Sequence, residues 1–426
     1  MRWSIGTLCL GLLLLVPPFS GTRSCPHSRT MAAAPQGSDP QGSDPQSAGR
    51  APTPAGSSSR LILAHYMPWF AAKPTSTNWG WHWTMNAFDP DIRKNGQREI
   101  AAHFYPLIGP YDSGNPHVVE YQLLLMKLAG IDGVLLDWYG LSDFRDYPLI
   151  HKNCQQLIQQ VQQLGMQFAI CYEDQTIPAL VQAGRLTTQQ RTAHAQRELQ
   201  WLIDNWTCLD AYVQLEGQPL LLSFGQTGLS DPEWQTCQER LSSPFAYFSQ
   251  HHRRQAAIGA FDWPIPDQGL TAINTFQNEA RNWPHSIAVA FPRFVDIYAE
   301  ANVHKSWGHI PDREGNTFRT SLTKAFRSNS QFIQIATWND WGEGTLIEPS
   351  REYGYRDLEM IQTLRREYLE PDFLATPSDL TAPGMLLKLR QTQPGSTKAL
   401  NRIRRLLASG KLSAARDALR AQAAAP

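Results

Sequence analysis

The chain lacks most of the signatures that declare a function at sight. Its 38 lysines and arginines balance 38 aspartates and glutamates, so bulk charge draws it neither to nucleic acid nor to an acidic polymer. It has no CxxC pair and no Cys/His cluster, which excludes the common structural zinc modules. No GxGxxG or GxxxxGK turn follows its first strand-like run, which weakens a doubly wound nucleotide-binding sheet, and no nucleophile elbow presents a serine. Its most apolar segment, Ile5 to Val16, is about 12 residues long, too short to span a bilayer comfortably. Cysteines are few, at 9, 25, 154, 171, 208 and 237. Cys208 and Cys237 could pair in an oxidising compartment.

What remains is a 426-residue chain, 42% hydrophobic, with enough apolar surface for one large core. Arg2, the Ile5–Val16 run, Pro17-Pro18 and the small residues Ser20 and Gly21 form a secretory signal over 1–22, so export is expected, whether to a periplasm, a cell surface or the medium. Residues 23–59, with QGSDP written twice at 36–45, are a low-complexity linker that cannot bury enough apolar surface to order itself.

From Arg60 the chain alternates between short apolar runs and helical patterns. The strand-like runs are 60–66, 131–138, 166–174, 218–225, 244–250, 256–263, 286–294 and 332–340. They are near-continuously apolar, as strands covered on both faces must be. Asn115-Pro116 makes a helix start, and Gly130 stops the same pattern. Eight such strands with helices between them predict an α/β fold, a (β/α)8 barrel with elaborated loops, over 60–375. A small helical hairpin broken at Gly410 is expected within the basic tail, 376–426.

In a barrel of this kind the site is built at the carboxyl ends of the strands. Those ends carry His65 and Tyr66, then Trp69; Asp137 and Trp138; Glu173; Asp262; and Trp338, Asn339, Asp340, Trp341 and Glu343. Each has an ordinary explanation as a cap or an ion-pair partner, but their convergence on one rim does not. Carboxylates and flat aromatic rings without a metal cluster point to glycoside chemistry, in which one acid protonates the leaving oxygen, one carboxylate acts as base or nucleophile, and rings clamp the sugar. Of the 14 tryptophans some must be core, but sugar-facing rings account for such a surplus too.

The stretches TWNDWGEGTLIEP (337–349), AHYMPWF (64–70), WHW (81–83), 105–140 and CYED (171–174) resemble glycoside hydrolase family 99, the endo-α-mannosidases, over about 60–370. Family 99 carries Asn-Glu-Trp-x-Glu-Gly-Thr-x-Ile-Glu at the last strand, so its two acids fall on Asp340 and Glu343. Asp340 departs from the family's glutamate, and TWNDWGE also resembles family 71, the α-1,3-glucanases. The resemblance implies an α-linked glycan substrate and no cofactor or metal. In family 99 the first acid is a base on the sugar's own 2-hydroxyl and the second the general acid and base, with retention, whereas family 71 inverts. By the same resemblance Tyr66 and Trp69 would floor the catalytic subsite, and His82 and Trp83 would contact the next sugar. Glu173 would hold hydroxyls and Asn339 would orient Asp340; Glu348 matches a family position, and a structural role in holding the strand-eight loop is the alternative reading.

The expected partner is therefore an oligo- or polysaccharide substrate of a monomeric protein, with no nucleic acid and no membrane span. Two other readings are a carbohydrate-binding barrel without catalysis and a glycosyl-transferring protein of polysaccharide assembly. Intact Asp340 and Glu343 speak against the first, and the lack of a nucleotide-sugar signature speaks against the second.

Overall fold

Buried on both faces, the apolar runs pair side by side and in parallel. The computed structural model describes residues 60–424, so the expected signal peptide and the linker lie outside the described residues. Among the described residues the main strands are β1 (Leu61–Tyr66), β2 (Gly133–Trp138), β3 (Gln167–Glu173), β4 (Gln218–Phe224), β5 (Ala246–Gln250), β6 (Gly259–Phe261), β7 (His285–Ala290) and β8 (Phe332–Ile335). Each pairs in parallel with its neighbour in sequence, and β8 pairs with β1, so the sheet closes into a (β/α)8 barrel.

Seven helices of the outer ring follow the strands: α1 (Pro116–Ala129), α2 (Tyr147–Gln163), α3 (Arg191–Asn205), α4 (Asp231–Glu239), α5 (Leu270–Ala280), α6 (Asn316–Arg327) and α7 (Arg356–Tyr368). Between β5 and β6 the chain crosses by residues 251–258 without a helix. Local chemistry sets the ends. Asn115 Oδ1 accepts from the amides of His117 (3.0 Å) and Val118 (3.4 Å), Pro116 fills the first turn, and Gly130 at φ 89° ends α1.

Three runs are shorter as strands than the apolar pattern suggests. The sixth contracts to Gly259–Phe261, and the seventh ends at Ala290, after which the Phe291 amide turns to the Ser321 hydroxyl (3.0 Å). The eighth stops at Ile335. Beyond it Thr337 N bonds Thr345 O and Ile347 N bonds Thr337 O, both at 3.0 Å, so the chain folds back on itself and Trp338–Asp340 lie on a loop.

The tail holds three helices rather than two: α8 (Ala382–Thr392), α9 (Thr397–Ala408) and α10 (Leu412–Ala423). Pro383 reads as a breaker in sequence but occupies the first turn of α8, where its missing N–H costs nothing. The Cys208–Cys237 pairing does not form. Cys237 is a free thiol, turned from α4 fully into the core, whereas Cys208 lies at the surface.

The tail is fastened to α1 by a buried charge. Glu120 accepts two bonds from Arg390 of α8, at 3.0 and 2.9 Å, and Arg404 of α9 stands at 3.1 Å from the same carboxylate. Glu120 is 6% exposed and Arg390 9%. Removing one partner of such a pair strands the other charge out of water, which costs about 3–5 kcal/mol. Glu120→Ala should therefore lower the unfolding free energy by that amount in a urea titration. A shift under 1 kcal/mol would mean that the tail is held by its apolar face alone.

Candidate active site

Register decides which strand-end side chains meet. Partnered residues on neighbouring strands project to the same side of a sheet, and successive residues to opposite sides. The ladder sets His65 beside Leu135, Asp137 beside Cys171, Glu173 beside Phe224 and Gln250 beside Phe261, all of one parity. That parity faces the barrel interior. His65, Asp137, Cys171 and Glu173 gather at its mouth, and Trp263 meets His65 edge-on at 4.8 Å.

The other parity faces the helices. Tyr66 gives its hydroxyl to Gln122 of α1 (2.6 Å), Trp138 gives its indole N–H to His151 of α2 (3.1 Å), and Asp262 lies 3.6 Å from His251. These three were expected to line the site and lie behind its wall. Asp262 borders a separate cavity of about 200 Å³ with His252 and Glu279.

Asp340 and Glu343 stand on the loop after β8. The Asp340 amide donates to Thr337 Oγ1 (2.8 Å), and Asp340 Oδ1 accepts the Glu343 amide (3.0 Å), an aspartate turn that sets the spacing of the two acids. Asp340 is buried and Glu343 partly so. Burial pushes the Asp340 carboxyl up to about 6, held there by the amides of Glu343 and Gly342. Burial pushes Glu343 well above the usual carboxylate range, with Asp340, Asp296 and Asp137 adding to it. Asp137 and Glu173 are raised in the same way, Asp137 by burial and then by Asp340, Glu173 by burial and then by Asp137. Among the described residues no lysine or arginine pairs with any of the four.

A buried polar network holds this loop. Glu348, 2% exposed, accepts from Tyr111 Oη (2.6 Å), Gln122 Nε2 (2.7 Å) and Trp341 Nε1 (3.2 Å). Asn339 clamps the backbone of Met67 through both ends of its amide, at 2.8 and 3.0 Å, and gives a second bond to Tyr111 (3.1 Å). Trp83 is fully buried against Phe70 and Tyr111, its indole N–H on the Tyr111 carbonyl (2.7 Å). Asn339, Trp341 and Trp83 therefore position the loop from beneath. Trp338 is also fully buried, its amide on the His65 carbonyl (2.7 Å).

Above β1 and β2 an open cleft of about 590 Å³ is lined by Trp69, Trp81, His82, Tyr139, Arg145 and Tyr147. Trp69 and His82 stack with centroids 4.1 Å apart at 6°, and His82 Nε2 lies 3.3 Å from Asp146. Sequence reasoning named Trp69 and His82, placed Tyr139 at the end of the second strand without giving it a role, and passed over Arg145, Cys171 and Tyr298. Tyr139 and Cys171 were findable, since each stands two residues from a strand-end acid and so shares its face. Burial raises the Tyr298 hydroxyl, and the charges of Glu343 and Asp340 raise it further, which puts it beside the acid pair; no motif marks it.

The donor atoms of His65, Asp137 and Cys171 lie within 4.8 Å of one another, from three different strands. Imidazole, carboxylate and thiol suit a soft divalent cation. Burial takes His65 down to about 3, and burial with the Asp137 charge takes the Cys171 thiol well up, so a metal there would displace the thiol proton.

This architecture has solved counterparts. Two structures of the GH99 endo-α-mannosidase from Bacteroides thetaiotaomicron, one with BIS-TRIS-propane, superpose with TM-scores of 0.57 and 0.56 at 16% identity, covering 72–73% of this chain and 97% of theirs. The (β/α)8 fold is the one these structures share. Among curated relatives, a glycoprotein endo-α-1,2-mannosidase-like protein of Danio rerio is 23% identical over 314 residues, and the glycoprotein endo-α-1,2-mannosidase of Mus musculus is 21% identical over 336. The first match covers 63% of this chain and 64% of the fish protein, so the chain spans a little under two thirds of that relative's length. The second covers 68% and 67%. A family model described as glycosyltransferase WbsX matches residues 304–361, the segment that carries the acid pair.

Because the two acids sit on a loop, the support beneath that loop is testable by itself. Glu348→Gln replaces an acceptor-only carboxylate with an amide, turning an N–H₂ toward Gln122 or toward Tyr111 and Trp341. An unmade buried bond costs about 1–3 kcal/mol, so the variant should unfold that much more easily by chemical denaturation. Unchanged stability would show that the loop is held without Glu348.

Proposed function

We propose that the protein is a glycoside hydrolase acting on α-linked glycans of the mannan or glucan type, with Asp340 as base and Glu343 as general acid. One observation carries the reading: two carboxyl groups, bonded through the Glu343 amide and Asp340 Oδ1 at 3.0 Å, with environments that separate their protonation. Separated pKa values on paired acids assign the roles, the higher one donating and the lower one accepting. The likeness to GH99 structures and to endo-α-mannosidase relatives supports the substrate class, and the leader supports export. No helix of the described residues is long and apolar enough to cross a membrane.

In this reading the sugar lies over His65, Asp137 and Glu173, its ring against the aromatic cleft. Glu343 gives its proton to the glycosidic oxygen as the bond to the anomeric carbon breaks. Asp340 accepts a proton from the attacking oxygen, either the sugar's own 2-hydroxyl or a water, and the anomer of the first product, read by NMR on α-mannan and α-1,3-glucan oligosaccharides, tells which. The match to a family described as a glycosyltransferase favours a second outcome, transfer to an acceptor sugar, which the same spectra would show as longer products.

Asp340→Asn and Glu343→Gln should each lower turnover by about 10²-fold or more, the usual scale for a positioned acid or base. An activated aryl leaving group should rescue Glu343→Gln and not Asp340→Asn. For the wild type, kcat/KM should climb as pH rises through about 6, where Asp340 loses its proton, and fall at higher pH as Glu343 loses its own. Glu343→Gln should lack the alkaline limb. Wild-type rates in both folded variants would move the chemistry to Glu173 or Asp137.

Dialysis against a chelator should leave turnover unchanged, because this carboxylate mechanism has no step for a metal. Loss of turnover restored by a divalent ion, and absent in Cys171→Ser, would instead make His65, Asp137 and Cys171 a catalytic metal site.

A further inference from the structure

Trp307 is 58% exposed, the most exposed of the large aromatic side chains in the described residues. Such a residue on a loose loop would mean little, but this loop is fixed. Asp296, 3% exposed, accepts from the Trp307 amide (2.7 Å), from Ser306 Oγ (2.9 Å) and from the Tyr298 amide (3.2 Å). A buried carboxylate thus holds an indole out into solvent. Between Trp307 and the barrel the rings continue: Trp307 to His304 at 4.7 Å, and His304 to Tyr298 at 4.5 Å.

The same loop is sewn to the acid pair. Val295 N bonds the Glu343 carbonyl (2.9 Å) and Ile297 N the Gly342 carbonyl (3.0 Å). Around the barrel the order is β2, β1, β8, β7. The cleft with Trp69 and Tyr139 rises from the loops after β1 and β2, the acids from the loop after β8, and the Tyr298–His304–Trp307 ladder from the loop after β7. A chain lying across the mouth therefore meets aromatic surface on both sides of the bond that is cut.

We infer that Tyr298, His304 and Trp307 form a second carbohydrate platform, which holds the sugar units on the leaving-group side of the cleaved bond. The inference rests on the glycosidase reading above, because the general acid Glu343 marks the leaving-group side. Flat rings stack on the apolar faces of pyranoses without demanding one pattern of hydroxyls. The ladder consequently selects for chain length more than for sugar identity.

The test measures binding by calorimetry in the full-length Glu343→Gln protein, which holds substrate without turnover. Probes are six-unit and two-unit α-mannan and α-1,3-glucan oligosaccharides, the two-unit ones as methyl glycosides, whose leaving group still needs protonation. Adding Trp307→Ala should weaken binding of the six-unit chain of the cleaved series about 10-fold and the two-unit glycoside far less, whereas Trp307→Phe should stay within about threefold of the parent for both. Because Trp307 is exposed, melting temperature should not move. Equal losses at both lengths, or none, would overturn the platform and leave the glycosidase reading standing. Failure of the wild-type enzyme to cleave either series would overturn both.

Discussion

A single buried carboxylate sets where the candidate chemistry happens. Glu348 is out of water, yet three donors from three parts of the chain converge on it: Tyr111 before α1, Gln122 within α1, and Trp341 on the β8 loop itself. Burial and these bonds oppose one another, and burial prevails, leaving the group at about 7. Because each donor lies on a different element, the loop is fixed relative to the barrel as well as within itself. Asn339 extends the network to Met67, where β1 ends. Without this scaffold Asp340 and Glu343 would be two acids on a solvent loop, where neither would keep a proton near neutral pH.

The barrel was legible because its strands are covered on both faces, so each reads as an unbroken apolar run with a polar residue at its end. The site was legible only in outline. A strand end offers two candidates side by side, and composition does not distinguish them; register does. His65 and Asp137 face the mouth while their neighbours Tyr66 and Trp138 face helices. Strand six reverses the order: Trp263 faces in and Asp262 out, so a rule that favours acids over aromatics misplaces that position. The parity follows once one inward residue is known and the strands are paired in register. That requires the fold, and a single sequence does not supply it. Trp83 and Trp341 were assigned to the sugar face for a different reason, since an indole that stacks on sugar and one that stacks on the core are the same residue in a sequence.

The aspartate at 340, where the GH99 motif has glutamate, has a structural counterpart in the turn that it makes. One of its oxygens accepts the Glu343 amide, the local bond to a backbone N–H that short aspartate side chains make readily. The short side chain thereby ties the position of the proposed base to that of the proposed acid three residues on, and gives a fixed geometry between the two groups.

The four acids at the mouth complete the argument. Burial raises Asp137, Glu173, Asp340 and Glu343, the Asp340 charge adds to Asp137 and Glu343 and the Asp137 charge to Glu173 and Glu343, and no arginine or lysine of the described residues pairs with them. Protons can supply their counter-charge, and in the proposed mechanism one of these is the proton that Glu343 donates. When the glycosidic bond breaks and positive charge builds on the anomeric carbon, the charge that these acids lack appears on the sugar itself, so the repulsion among them falls as the reaction proceeds. A ground-state sugar is neutral and gains little from that field. An arrangement that disfavours the empty ionised site and favours a developing cation stabilises the transition state more than the substrate, which is the condition for acceleration.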